Sequence, residues 1–268
     1  MYRAYRYWAK CILLFWSCSQ VYSQIKPHFI LPCFSEPLVV YPKTEGNKTE
    51  VLVVFVPHTG YMDHQGKMAA KADAYPFFES WQYFFKFLGM NTLSYDKLGT
   101  GASGGRMYRS EEASLLCLVS NINNLSLGKP KYLVFAGFLE GIRTLETVLP
   151  LYKKLNKGPK VLGVIQFGFA RYFGRTEGGP LPLYALLGEQ ATVPGEQEDF
   201  ESAKKVMGDD QSRVTILEGR DSFLCLSHEQ PDELRCRVSR SVQFDIQGWI
   251  EERINEESNA AQEINLDE

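Results

Sequence analysis

Short apolar, β-branched runs alternate with segments of helical spacing along most of the chain, and this alternation constrains the fold more than any other feature. The runs are 51–56, 92–95, 131–136, 160–167, 181–187 and 213–218, most of them bounded by Gly, Pro or Asp. Runs of four to eight residues without polar alternation suit strands buried on both faces, as in a parallel sheet. Between them, 77–88, 111–124, 142–155 and 196–207 carry helical spacing. A last helix is expected over about 232–255, with Leu234, Val238, Val242, Ile246, Trp249, Ile250 and Ile254 forming one buried stripe. Strands alternating with helices predict an α/β fold: a doubly wound, mostly parallel sheet in one domain without a large cap.

Composition narrows the function classes. Hydrophobic residues make up 44% of the 268, enough for a core, which excludes wholesale disorder. Lys+Arg 29 against Asp+Glu 32 leaves a net charge of −3, with no basic surplus for a phosphate backbone, so no nucleic acid is expected as a partner. No apolar run reaches the ~20 residues that cross a bilayer, so no transmembrane span is expected. No C-x-x-C pair suggests zinc.

The first acid in the chain is Glu36. Arg3, Arg6 and Lys10 precede the apolar run 11–16, and a polar stretch follows with Val21 and Ser23 placed like the small residues of a cleavage site. This is the layout of a signal peptide, residues 1–23, with a cut after Ser23, and it predicts the secretory pathway or the extracellular space. A mitochondrial presequence and an uncleaved apolar extension are the alternatives. Sequons at Asn47 and Asn124 are glycosylation candidates. Cys33, Cys117, Cys225 and Cys236 would survive the cut; the last two are close enough to close a small loop, and buried thiols are the other reading. Residues 24–47 are expected to form an N-terminal extension, 48–256 the folded domain, and 257–268 a solvated acidic tail.

In a sheet of this kind ligands bind beyond the carboxyl ends of the strands, so the strand-to-helix turns are the places for chemistry. They read Pro57-His58-Thr59-Gly60, then Asp96 through Gly105, Gly137-Phe138-Leu139-Glu140-Gly141, Gly188 through Pro194, and Gly219-Arg220-Asp221-Ser222-Phe223. These five turns, in this order, resemble the α/β-hydrolase superfamily, above all its small cap-less members with a D-x-x-G-x-G-x-S-x-G turn, over about residues 48–256. Asp96 through Gly105 matches that turn in full. The resemblance implies an oxyanion-hole-like role for His58, Thr59, Gly60 and the backbone of Glu140. It also implies ester, amide or thioester hydrolysis as the family's default.

The catalytic positions depart from the family's pattern. Leu139 stands where the resemblance places the nucleophilic serine, Ala191 where it places the acid, and Ser222 where it places the base. Leucine cannot attack a carbonyl, alanine cannot orient an imidazole, and serine at its ordinary pKa cannot accept a proton, so the triad is degenerate. Ser103 also satisfies G-x-S-x-G, but within a loop past its strand rather than at an elbow. Taking Asp221 as acid and His228 as base leaves no strand before the last helix and still leaves Leu139 without a hydroxyl. The loop from His58 through Asp63 and His64 lacks the three ligands of a catalytic metal, so no metal and no cofactor are expected. The resulting expectation is a catalytically silent pseudoenzyme. Its pocket, lined by His58, Phe138, Leu139, Phe169 and Phe223, would take a small apolar ligand or a protein partner. An active serine hydrolase with a relocated nucleophile and a purely structural or interaction protein are the alternatives.

Overall fold

A computed structural model of the chain describes residues 29–33, 36–43, 50–57, 77–104, 110–125, 127, 129–138, 141–155, 158–168, 181–191, 211–220, 224 and 239–266. Eight strands form one sheet: β1 (Phe29–Cys33), β2 (Glu36–Lys43), β3 (Val51–Val56), β4 (Asn91–Tyr95), β5 (Tyr132–Phe138), β6 (Lys160–Gly168), β7 (Leu183–Gly188) and β8 (Arg213–Leu217). Their spatial order is β1-β2-β4-β3-β5-β6-β7-β8. The strands from β3 to β8 run parallel, and β1 and β2 are antiparallel to their neighbours. The α/β fold expected from the alternation is the one observed.

Among the described residues, four helices cover the two faces: α1 (Phe77–Phe87), α2 (Ser110–Ser120), α3 (Gly141–Leu155) and α4 (Arg240–Leu266). On β3, Leu52, Val54 and Val56 belong to the core shared with Leu115 and Leu118 of α2 and Leu145 and Leu149 of α3. Val51, Val53 and Phe55 belong to the other, shared with Phe78, Trp81 and Phe85 of α1 and Ile246, Trp249 and Ile250 of α4. Successive side chains of a strand point to opposite faces, so a strand with helices on both faces must be apolar at every position. That is why the run 51–56 shows no alternation.

Three boundaries differ from expectation. Residues 29–43, expected within an extension ahead of the domain, form β1 and β2 of the sheet, with Val40 opposite Tyr95 and Phe29 opposite Val40. Pro32, Pro37 and Pro42 make this stretch look broken in sequence, but β1 is the sheet's edge, and on β2 Pro37 is paired only with β1 and Pro42 only with β4, so each proline has a strand on one side alone. The helix expected to reach Asn124 ends at Ser120, followed by a 3-10 turn over Ile122–Asn124. There Asn121 donates to the Cys117 carbonyl at 2.9 Å, a local bond of the kind that competes with helix propagation. The stretch expected as a solvated acidic tail is helical through Leu266, where α4 ends, and its Glu257 pairs with Lys160. The helix expected over 196–207, the start of the last one before Ser239, and the segment 1–23 lie outside the described residues.

A disulfide joins Cys33 at the end of β1 to Cys117 on α2, with the Cα atoms 5.7 Å apart. Spacing alone could not select this pair, because the two residues are 84 positions apart. Cys225 and Cys236 lie outside the described residues.

Candidate functional site

The carboxyl ends of β3, β4, β5, β7 and β8 bring the five turns to one edge of the sheet. Strand β5 ends at Phe138 and α3 begins at Gly141, so only Leu139 and Glu140 separate strand from helix. Gly141 packs on the end of β3: a Cβ there would come within 2.7 Å of the Pro57 carbonyl oxygen and 3.0 Å of that of Val56. No larger residue fits without moving backbone. Gly141, the first residue of α3, thus abuts Pro57 at the end of β3.

The turns after β7 and β8 are tied together. A 3-10 turn, Glu189–Ala191, follows Gly188 directly and contains the position expected for the acid. The Gln190 amide donates to the Arg220 carbonyl at 2.9 Å, and the Gly219 amide donates to the Glu189 carboxylate at 2.8 Å. Glu189 is a residue the sequence reading did not single out; its exposed carboxylate holds the turn next to it. Leu224 is another. It is fully buried with φ 59°, a left-handed conformation that costs a leucine energy and needs tertiary packing to persist. The Arg220 guanidinium donates to its carbonyl at 2.5 Å.

The turn after β4 has a structural account for each motif residue described. Asp96 is 1% exposed, and its carboxylate accepts from the Tyr41 hydroxyl at 2.8 Å and the Ala102 amide at 2.9 Å. Gly101 has φ 53°, and a Cβ on it would overlap that carboxylate. Gly99, at φ 78°, donates to the Gly104 carbonyl at 2.8 Å. The Ser103 hydroxyl donates to the Asp96 carbonyl at 2.7 Å and accepts from the Val39 amide at 2.8 Å. Its proton and an acceptor site are therefore committed to holding β2 and the turn. Among the described residues, none of its bonded partners is a histidine or lysine that could make it a nucleophile.

Beside this turn lies Lys97, 1% exposed, with its ammonium 3.4 Å from Glu111. Burial lowers its pKa, while the Glu111 charge and hydrogen bond oppose that shift. Burial raises the Tyr95 phenol, with the Glu111 charge adding to it.

Of the remaining expected site residues, Phe138 and Ala191 are placed by their backbone alone, and Asn124 is exposed in its 3-10 turn. His58, Thr59, Gly60, Leu139, Glu140, Phe169, Ser222, Phe223 and Asn47 lie outside the described residues, as do Asp63, His64, Asp221 and His228. Among the described residues no three His, Cys, Asp or Glu side chains are grouped to hold a metal ion, and no helix is long and apolar enough to cross a membrane.

No protein-family model matches the sequence, and no curated protein matches it. Solved structures do. The chain is similar to Est1E from Butyrivibrio proteoclasticus, solved with ferulic acid bound, at 14% identity and a TM-score of 0.54, over 85% of this chain and 99% of that one. It is similar to an α/β serine hydrolase without lid from Xanthomonas campestris at 12% identity and a TM-score of 0.55, over 86% and 94%. It is also similar to an esterase from Pyrococcus furiosus at 13% identity and a TM-score of 0.56, over 84% and 89%.

Proposed function

We propose that this chain, which has the α/β-hydrolase fold, is a catalytically silent binding protein of that fold, taking a small apolar ligand or a protein partner among its carboxyl-edge turns. The observation that carries the reading is that only two residues, Leu139 and Glu140, separate Phe138 from Gly141, whose Cα packs on the Pro57 carbonyl. A strand-turn-helix connection of that kind is where a hydrolase of this fold presents its serine. A leucine there has no atom that can form an acyl-enzyme. The engaged hydroxyl of Ser103 supports the same reading, because Ser103 is the one serine of the sequence in a G-x-S-x-G setting.

A second reading has its own support. The similar solved structures include an esterase and a serine hydrolase, which favours an active hydrolase of ester, amide or thioester bonds with its nucleophile elsewhere. At these identities the likeness speaks for fold rather than chemistry, so the side chains at the turns carry more weight. Labelling with a fluorophosphonate, beside an active hydrolase as control, separates the two. The silent reading expects no label and no p-nitrophenyl ester turnover above the protein-free rate. Labelling at any serine overturns it.

We also propose that the mature protein enters the secretory pathway and begins at Gln24. The Cys33–Cys117 disulfide supports this, since such bonds persist in oxidising compartments. So does the exposure of Asn124. N-terminal sequencing of protein from secreting cells tests it, together with mobility shifts on removal of N-glycans from Asn47 or Asn124. An intact Met1, or a cut in a mitochondrial fraction, overturns it.

A further inference from the structure

The last helix, α4, is attached to the sheet in two different ways along its length. Its first half is held by apolar burial: Ile246, Trp249 and Ile250 are fully buried in the second core, and Val242 and Ile254 pack against it. The Trp249 ring meets Tyr184 edge-on at 5.7 Å between centroids, and its indole donates to the Gln211 carbonyl at 2.8 Å. Among the described side chains this apolar attachment stops at Ile254, although α4 runs on to Leu266.

From there the attachment is polar. Arg213, at the start of β8, lies 2.6 Å from Glu252, just before the change. Arg253 bonds Glu256 within the helix at 2.7 Å, and the Gln211 amide donates to the same glutamate at 2.6 Å. One residue on, Glu257 pairs with Lys160 at the start of β6. The bonds that reach Glu256 and Glu257 from the sheet are open to water, with the Lys160 side chain 61% exposed. A cavity of about 590 Å³ opens beside this turn, with Arg253, Glu256 and Glu257 in its lining, so packed side chains do not seal the turn against the sheet.

These two attachments answer differently to salt. Exposed ion pairs contribute little each and are screened, whereas the burial of Ile246, Trp249 and Ile250 does not depend on charge. Raising NaCl from about 0.1 M to about 1 M shortens the screening length from about 10 Å to about 3 Å. Proteins open in parts, and the parts with few buried apolar contacts open first. We propose that α4 from Asn255 to Leu266 is a salt-sensitive strap, which leaves the starts of β6 and β8 as ionic strength rises while the half before it stays packed. Its release uncovers Lys160 and Gln211 at the amino edge of the sheet and leaves the five turns at the opposite edge in place.

Hydrogen–deuterium exchange of the full chain, read by mass spectrometry on peptides from 255–266 and 243–251, tests the proposal. Lys160→Glu lies on β6 and leaves the helix sequence intact. At about 0.1 M NaCl it should raise exchange in 255–266 at least about threefold, because a like-charge pair replaces an attractive one, and leave 243–251 unchanged. Adding Glu257→Lys restores the pair with its signs exchanged and should return exchange in 255–266 to within about twofold of the native chain. In the native chain, about 1 M NaCl should raise exchange in 255–266 at least about threefold relative to 243–251. Fraying of a helix end that owes nothing to the sheet would ignore a substitution on β6, so no response to Lys160→Glu overturns the proposal. An equal response in 243–251 overturns it too, since the whole helix would then be leaving. So does a charge exchange that fails to restore protection, or a native chain without a salt effect. The salt series needs no substitution and carries the test if the β6 variant does not fold.

Discussion

The turn after β4 and the turn after β5 leave the same edge of the sheet, and both carry the glycine spacing of an α/β hydrolase, but they spend their residues differently. In the first, Asp96 and Ser103 make the bonds that tie the turn to β2, and Gly101 lets the chain pass against the Asp96 carboxylate. In the second, Gly141 makes a close approach to the end of β3, and Leu139 is the residue at the position to which the resemblance assigns the nucleophile. Residues that shape a backbone are present in both turns. A motif match therefore has to be divided by what each residue does physically before it is read as activity.

The largest effect that would break this contrast is expected at Asp96. Asp96→Ala leaves the Tyr41 hydroxyl and the Ala102 amide without their acceptor in a buried place, and should cost about 3–5 kcal/mol in urea unfolding. A cost near zero would mean that the turn after β4 does not hold the sheet together. Opening the Cys33–Cys117 bond, by Cys33→Ser with Cys117→Ser, should cost somewhat less, about 2–4 kcal/mol, the usual range for a disulfide. Peptide mapping under non-reducing conditions should recover the pair, and a different pairing would remove the tie between β1 and α2.

Ser103→Ala is expected to cost about 2 kcal/mol, since it orphans the Val39 amide, and to change no esterase rate. Turnover in the wild type that disappears in this variant would reverse the comparison, making the intact-looking turn the reactive one. The smallest effect is expected at the elbow: Leu139→Ser should alter stability by about 1 kcal/mol and should not label with a fluorophosphonate, because a serine without a base is a weak nucleophile. Leu139→Ser with Ala191→Asp and Ser222→His should label. A folded triple variant that stays unlabelled would show that the three turns are registered wrongly.

Much of the molecule was legible before any coordinates because its strands are buried on both faces. The run 51–56 coincides with β3, and the runs at 92–95, 131–136, 160–167 and 213–218 fall within two residues of the observed strands. Helix α3 is one residue from its expected start and coincides with its expected end. The stripe through Val242, Ile246, Trp249, Ile250 and Ile254 does pack on the second core, with Val242 and Ile254 only partly buried. Strands β1 and β2 were not legible, because three prolines interrupt their pattern and their place depends on a pairing with β4 some fifty residues away.

The sequence by itself determined the class of fold, the order of the turns and the residue types within them, with Leu139, Ala191 and Ser222 at the positions to which the resemblance assigns nucleophile, acid and base. These are properties of local pattern and residue chemistry, readable wherever burial forces a period or a function demands a particular atom. Only the tertiary structure decided which cysteines meet, why Asp96 and Ser103 are where they are, and that Lys160 and Gln211 meet the far part of α4. Each of these rests on groups far apart in the chain. Whether a polar side chain is satisfied depends on which distant groups the packed sheet brings within about 3 Å of it, and no local pattern encodes that distance.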